Sequence, residues 1–181
     1  MPTVKTLEQI QSFLKEKVCE NFKLKKPNDK NVDEFELVNP NVFIMNFPPK
    51  KYLPVGMKSI NPCIIVNFED GTDDKETSEM NLRLIFIVYS PGFHDKNSED
   101  IVEAIPDGKG GIDLLNFMDK TKAEIIKNQI LNGVKIQYPI KWGIYQKEEQ
   151  TPETDPYFYG WITFGVKIKP YSTSEIDKLL T

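Results

Sequence analysis

The clearest hydrophobic pattern lies between Tyr138 and Ile168. From residue 157 onwards, apolar and polar side chains alternate with a period of two, as in a β-strand with one buried face. One series is Phe158, Ile162, Phe164, Val166 and Ile168, and the opposite series is Tyr157, Tyr159, Trp161, Thr163, Lys167 and Lys169. The polar segment 147–156 precedes this strand, and its two prolines cannot donate to a central ladder. The pattern predicts an antiparallel β-ribbon with an exposed loop.

Helical periodicity marks two other segments. Residues 7–22 predict an amphipathic helix, which the basic run 23–27 ends with cations and a proline. Residues 112–131 predict a second, long helix that stops at Asn132-Gly133. The apolar face expected for this second helix contains Leu115, Met118, Ile125 and Ile126.

Two short segments, 63–68 and 81–89, are almost continuously apolar and rich in β-branched and aromatic residues. This composition is typical of central strands that are covered on both faces. The acidic segment 69–79 between them predicts a long, solvated hairpin tip. The order of elements indicates an α+β fold. We expect a mainly antiparallel β-sheet with the long helix packed on one face, together with an N-terminal amphipathic helix.

The remaining segments are irregular in sequence. Weak alternation and four prolines predict edge strands and an excursion at 28–59. The glycine- and proline-rich segment 90–111 predicts a loop with a short helical turn near 98–104, and residues 170–181 predict a short C-terminal tail. Because 181 residues suffice for one good core and no linker separates two cores, residues 1–181 are expected to form a single domain.

Charge and cysteine content narrow the classes of function. The chain has 23 Lys plus Arg against 27 Asp plus Glu, and this net charge of −4 argues against sequence-independent binding to nucleic-acid phosphates. Cys19 and Cys63 lack CxxC spacing, which favours buried reduced thiols. No apolar signal core is present, and no run approaches the roughly 20 apolar residues that a bilayer span requires. We therefore expect a soluble, intracellularly made protein with no membrane partner.

The residue pattern contains no recognisable catalytic or metal-binding constellation. His94 is the only histidine, and it lies far in sequence from either cysteine. One histidine and two scattered cysteines do not match a structural zinc site, and segment 69–79 lacks the ligand positions of an EF-hand. The glycines at 107–111 lack the Walker spacing. We expect a protein that is not an enzyme and has neither cofactor nor metal.

Aromatic residues of the ribbon are the best candidates for an interface. Trp and Tyr are enriched where protein surfaces bury one another, and several of these residues are expected on the ribbon face opposite the core. Cross-strand pairing within the sheet is the alternative explanation. The candidates are Trp142, Tyr145, Tyr157, Tyr159 and Trp161.

The order of these elements resembles that of tail terminator (tail completion) proteins of tailed bacteriophages and phage-tail-like particles. The resemblance rests on the N-terminal amphipathic helix and on the segments Asn61-Pro-Cys-Ile-Ile-Val66, Leu82-Arg-Leu-Ile-Phe-Ile-Val88, Gly111-Ile-Asp-Leu-Leu-Asn-Phe-Met118, Tyr138-Pro-Ile-Lys-Trp142 and Pro156-Tyr-Phe-Tyr-Gly-Trp161. It implies a small α+β subunit of a hexameric ring. Such a ring sits on the last tube ring, stops tail polymerisation and presents a surface to the head–neck connector.

The resemblance also implies partners and a location. The partners are further copies of the chain, tail tube and possible sheath proteins, and neck or connector proteins. The ring would lie at the tail–neck junction of a virion or phage-tail-like particle after synthesis in the bacterial host cytoplasm. DNA would pass through it without specific binding, helped by an acidic lumen that repels phosphate. The lumen is expected to be lined by the 148–155 loop or by Glu69, Asp70, Asp73, Asp74, Glu76 and Glu79.

Two alternatives remain open from the sequence. The first is another ring-forming head–tail connector or tube component, which needs the same kinds of surface. The second is a small-ligand-binding or hydrolytic domain that uses segment 90–111 as a lid over His94.

Overall fold

The chain forms two α-helices and ten strands in the part of it that the structure describes. This structure is a computed structural model, and it describes residues 2–28, 35–49, 53, 60–74, 77–96, 102–105, 109–145 and 156–168, with backbone only at 2, 93–96 and 102–105. The elements are α1 (Pro2–Lys17), a 3-10 turn (Cys19–Asn21), β1 (Leu24–Pro27), β2 (Phe35–Val38), β3 (Asn41–Ile44), β4 (Cys63–Asp73), β5 (Ser78–Tyr89), β6 (Phe93–Lys96), β7 (Val102–Ile105), α2 (Lys109–Asn128), β8 (Ile130–Leu131), β9 (Val134–Ile144) and β10 (Tyr157–Ile168).

Six of the strands form the main sheet, in the order β3-β4-β5-β10-β9-β8. Every neighbouring pair is antiparallel except β3 and β4, which are parallel. The α+β class with a mainly antiparallel sheet is therefore confirmed. Segments 63–68 and 81–89 lie in β4 and β5 inside the sheet, and β9 and β10 form the predicted antiparallel ribbon.

The core lies between one face of this sheet and the two helices. Alternate apolar side chains of the sheet point to this face, as their period of two dictates. Its buried residues include Ile10 and Leu14 of α1, Phe117 and Met118 of α2, and Val66, Leu84, Phe86, Ile162 and Phe164 of the sheet. Burying each such side chain contributes about 1.5–3 kcal/mol before chain entropy is counted. No helix in the described residues is long and apolar enough to cross a membrane.

The N-terminal region differs from the prediction after the first helix. Helix α1 begins at Pro2 and ends at Lys17, so it starts earlier than residue 7. The basic run 23–27 does not end a helix, because Leu24–Pro27 is strand β1 and pairs with β2. Leu24 is buried in the core, and its burial together with the β2 hydrogen bonds outweighs the local helix-stop signal.

Helix α2 and the turn after it also differ from the prediction. The helix spans Lys109–Asn128, and Leu115 and Ile126 are exposed on it. Asn132 and Gly133 form the two-residue turn between β8 and β9, with φ angles of 48° and 96°. An Asn-Gly pair tolerates these positive φ angles and favours a tight hairpin, which the helix-stop interpretation overlooked. The face of α2 that is buried consists of Gly110, Leu114, Phe117, Met118, Thr121 and Ile125.

The acidic segment 69–79 is mostly paired strand rather than a long loop. Strand β4 continues to Asp73 and β5 begins at Ser78, with a register shift between Phe68 and Asp70. The Asp74 backbone N–H donates to the Thr77 carbonyl at 2.9 Å and closes a short turn. In its described residues, 69–74 and 77–79, the acidic segment is therefore an extension of the sheet.

Segment 90–111 contains a second small hairpin. Strands β6 and β7 pair antiparallel, with Phe93 opposite Ile105. The prediction of a helical turn near 98–104 is therefore wrong for residues 102–104, which belong to β7. Residues 98–101 lie outside the described residues. At 28–59, edge strands β2 and β3 are confirmed. The rest of that excursion is described only in part, and neither the loop 147–155 nor the tail 170–181 is among the described residues.

Candidate subunit interface

The sheet face opposite the helices changes character along its strands. At one end, Cys63, Ile65 and Ile87 are buried in a small apolar cluster. Residues that lie directly opposite one another on adjacent strands share a face of the sheet, and they form rows that run across the strands. The successive rows are Ile65–Ile85–Trp161–Gly143, then Asn67–Arg83–Thr163–Lys141, then Asp70–Asn81–Gly165–Gln137. The face is therefore apolar at one end and polar at the other.

Arg83 lies at the boundary between these two halves. Its Nη2 is 2.6 Å from Oε1 of Glu69, and its guanidinium carbon is 5.7 Å from the centroid of the Trp161 ring. Both members of the ion pair are partly exposed, so the pair contributes only about 0–1 kcal/mol. Arg83 Nε and Oδ1 of the opposing Asn67 are buried, and no described residue forms a hydrogen bond with either atom. An unsatisfied buried group costs about 1–3 kcal/mol, so this boundary is less favourable than the core face.

A cleft of about 320 Å³ opens in the polar half. It lies where the β9–β10 register shifts, so that residues 138–140 of β9 lie opposite Phe164 alone. Its lining is mostly polar and consists of Glu69, Asp70, Asn81, Gln137, Tyr138, Pro139, Lys141, Thr163, Phe164 and Gly165. Among the residues described, no three or more His, Cys, Asp or Glu are grouped to hold a metal ion.

The acidic residues proposed to face a channel are held by local hydrogen bonds. Oδ1 of Asp70 accepts a bond from Asn81 Nδ2 at 2.6 Å. Oδ1 of Asp73 accepts a short bond from the Ser78 hydroxyl. Glu76 lies outside the described residues, so nothing is added to its prediction.

Glu79 and Asp74 of this set are also hydrogen-bonded. Glu79 Oε1 accepts a bond from Gln137 Nε2 at 2.9 Å and lies 3.8 Å from Nζ of Lys167. Oδ1 of Asp74 accepts a bond from the Thr77 backbone N–H at 2.9 Å. Together with the Glu69 ion pair, these bonds place negative charge on an ordered strand end. Its orientation towards a channel stays a prediction.

Three of the five aromatic candidates share the open face. Tyr157, Tyr159 and Trp161 alternate with the core residues of β10, as the spacing predicted. The Tyr157 ring lies 5.4 Å from that of Tyr89, centroid to centroid. Trp161 covers Gly143, where an added Cβ would lie 2.9 Å from the indole. These contacts show that Tyr157 and Trp161 already contact residues of the neighbouring strands.

Trp142 does not join them. It lies opposite Ile162, whose side chain is in the core, so its indole is on the helix side of the sheet. Nζ of Lys122 in α2 lies 3.6 Å from the ring centroid. The alternation along β9 would have predicted this placement, because Trp142 is an even number of positions from the buried Ile136 and so belongs to the same face. Tyr145 follows the end of β9 and is exposed.

Sequence reasoning missed two open strand edges. Strand β8 pairs only with the first two residues of β9, and β3 pairs only with Cys63–Val66 of β4. Among the described residues, no strand therefore pairs with the outer edge of β9 at 137–144 or of β4 at 69–73. The Asn132-Gly133 hairpin signal would have revealed how short β8 is.

Neither the protein-family models nor the curated proteins that we searched match this chain. The features that characterise the candidate interface are the sheet face opposite the helices, the acidic strand end and the two strand edges that no described strand pairs with.

The two cysteine thiols, which are described by the structure, lack the properties of reactive nucleophiles. Cys19 and Cys63 are free and buried, as the sequence predicted. Burial raises the pKa of each thiol to about 12, so neither forms a thiolate at neutral pH. His94 lies opposite Ala104 in the β6–β7 hairpin, and its side chain is outside the described residues.

Proposed function

We propose that this chain is a structural subunit of a phage tail or phage-tail-like particle, a tail terminator that forms a homo-hexameric ring. The ring caps the tail tube, ends its polymerisation and joins the tail to the neck connector. The observation that carries the proposal is the pair of open edges on β4 and β9, at opposite sides of one sheet. A closed ring needs two different, complementary surfaces on each subunit, and two such edges supply them.

The charge distribution supports the same function. The β4–β5 end concentrates the carboxylates of Glu69, Asp70, Asp73, Asp74 and Glu79. Negative charge at a pore repels DNA phosphates and lets DNA pass without binding. The partners are tail tube, sheath and neck proteins, and the role requires no catalysis or cofactor.

Light scattering of the purified chain over a concentration series tests this proposal. A hexamer has a mass of about 125 kDa, six times the 20.9 kDa of one chain. We expect this species either alone or after the cognate tail-tube protein is added. A chain that stays monomeric in both conditions would refute the ring.

Tube length separates a terminator from another ring-forming component. Tube protein polymerising with increasing amounts of this chain should give progressively shorter tubes, each with an end ring visible by electron microscopy. A ring that leaves the length distribution unchanged would favour the connector alternative.

A further inference from the structure

The open edge of β9 presents backbone groups that nothing in the described residues binds. The Tyr145 N–H donates to the Tyr159 carbonyl at 3.0 Å, which makes this an inward, hydrogen-bonded pair. Antiparallel strands alternate bonded and non-bonded pairs, so Trp142 and Ile144 turn their N–H and C=O groups outward. Their side chains are 51% and 42% exposed. This edge is ready to accept another strand.

The outer edge of β4 has the same property at its acidic end. Since the Asp74 N–H bonds inward to the Thr77 carbonyl, the same alternation turns the backbone groups of Gly71 and Asp73 outward. Strand β3 ends at Ile44, before it reaches this stretch. The described part of the main sheet therefore has two open backbone edges, one on β4 and one on β9, at opposite sides of the sheet.

The two edges carry opposite charge. The open stretch of β9, residues 137–144, contains the cation Lys141 and no carboxylate. The open stretch of β4 contains Glu69, Asp70 and Asp73 and no cation. A β9–β9 contact would oppose like charges, whereas a β9–β4 contact between copies opposes unlike ones.

Strand direction also favours β4 as the occupant. Successive antiparallel pairing from β4 through β5 and β10 makes β9 run opposite to β4. A second copy in the same orientation thus lays its β4 antiparallel to this β9. Antiparallel pairing then continues from the sheet of one copy into the sheet of the next.

We propose that the acidic edge of β4 in one copy pairs antiparallel with the open edge of β9 in the next, with Gly71 opposite Trp142. Within one copy, Gly71 lies in the same cross-strand row as Val166, whereas Trp142 lies in the row of Ile162, four residues away along β10. Placing Gly71 opposite Trp142 therefore shifts one copy along the strand direction by about four residues, which is roughly 13 Å at ~3.3 Å per residue. Lys141 then lies diagonal to Asp70 of the neighbouring copy, within reach of its carboxylate. The inference rests on the proposed function, because it specifies the contact that closes the ring.

Charge reversal tests this pairing. Lys141→Glu and Asp70→Lys should each weaken association about threefold to tenfold per contact, as a like-charge cross-strand pair requires. The double variant should recover most of the loss, because the pair is restored with its signs exchanged. Lys5→Glu, on an exposed position of α1, is the matched control and should assemble as the unmodified chain does.

Amide hydrogen exchange separates failure of this contact from failure of the ring. On assembly, the amides of Trp142, Ile144, Gly71 and Asp73 should exchange at least tenfold more slowly, while the outward amide of Ile44 on β3 stays unchanged. Assembly without this protection, or without rescue in the double variant, overturns the contact and leaves the ring standing. A chain that never assembles, even with tube protein, overturns both.

Discussion

Lys122 of α2 places its ammonium nitrogen 3.6 Å from the centre of the Trp142 ring at the outer edge of the sheet. The contact joins the long helix to β9 next to the open edge. Lys122 also pairs with Asp119, at 2.7 Å, so the cation is held over the ring from its own helix. The edge that we propose as an interface is thus supported from the helix side.

Removing this cation should destabilise the chain slightly. Lys122→Met keeps the aliphatic stem and loses the cation–π contact, which is worth about 0.5–1 kcal/mol at an exposed site. Urea unfolding followed by circular dichroism measures the change, with Lys127→Met as a control in the last turn of α2. Equal losses in the two variants would contradict a specific role for the ring contact.

Gly160 packs closely against α2, so a side chain there should be unfavourable. A Cβ there would lie 2.5 Å from Sδ of Met118 and 3.3 Å from the Gly143 carbonyl oxygen, so the buried Met118 side chain would have to shift. We expect Gly160→Ala to lower the free energy of unfolding by about 1–3 kcal/mol.

Gly111→Ala is the matched control for that variant. An added Cβ at Gly111 meets nothing within 4 Å, and alanine is favoured over glycine in a helix by up to about 1 kcal/mol. This variant should be neutral or more stable in the same urea titration. A Gly160→Ala protein as stable as Gly111→Ala would show that the Met118 side chain makes room for the methyl group without cost.

The buried thiols predict a loss of stability at high pH. Burial raises the folded-state pKa of Cys19 and Cys63 from 9.0 to about 12, so only the unfolded chain loses these protons between those values. Their contribution to the free energy of unfolding is complete below pH 9 and decreases above it, by up to about 1.4 kcal/mol per pH unit for each thiol. Urea titrations between pH 7 and 10.5 measure this slope. Cys63→Ala should reduce it, and an unchanged slope would mean that other groups cause it.

A proline at the open edge should block assembly without unfolding the chain. The Ile144 N–H points away from β10, so Ile144→Pro removes an outward donor and no internal ladder bond. We expect the urea midpoint to change little while the oligomer seen by light scattering is lost. Ile144→Val, which keeps the N–H, is the control. A fully assembled Ile144→Pro protein would exclude pairing at this position.

Much of the fold follows from local periodicity. The alternation from Tyr157 to Ile168 predicted both faces of β10, and continuous apolar runs predicted β4 and β5 as interior strands. Such signals are local because each side chain's direction follows from the repeat of its own strand or helix. The buried reduced thiols were predicted from the lack of CxxC spacing between Cys19 and Cys63.

The sequence by itself determined the α+β class, the interior strands, the ribbon and the lack of a recognisable catalytic motif. Tertiary structure alone decided that Leu24–Pro27 pairs as β1, that Trp142 contacts α2, and that no other described strand pairs with the outer edges of β9 at 137–144 and of β4 at 69–73. The physical reason is that a strand's pairing and packing partners lie elsewhere in the chain, so its own residue pattern does not identify them. A strand's period states which way its side chains point, but only the neighbours that the fold brings beside it decide which backbone edge is left unpaired.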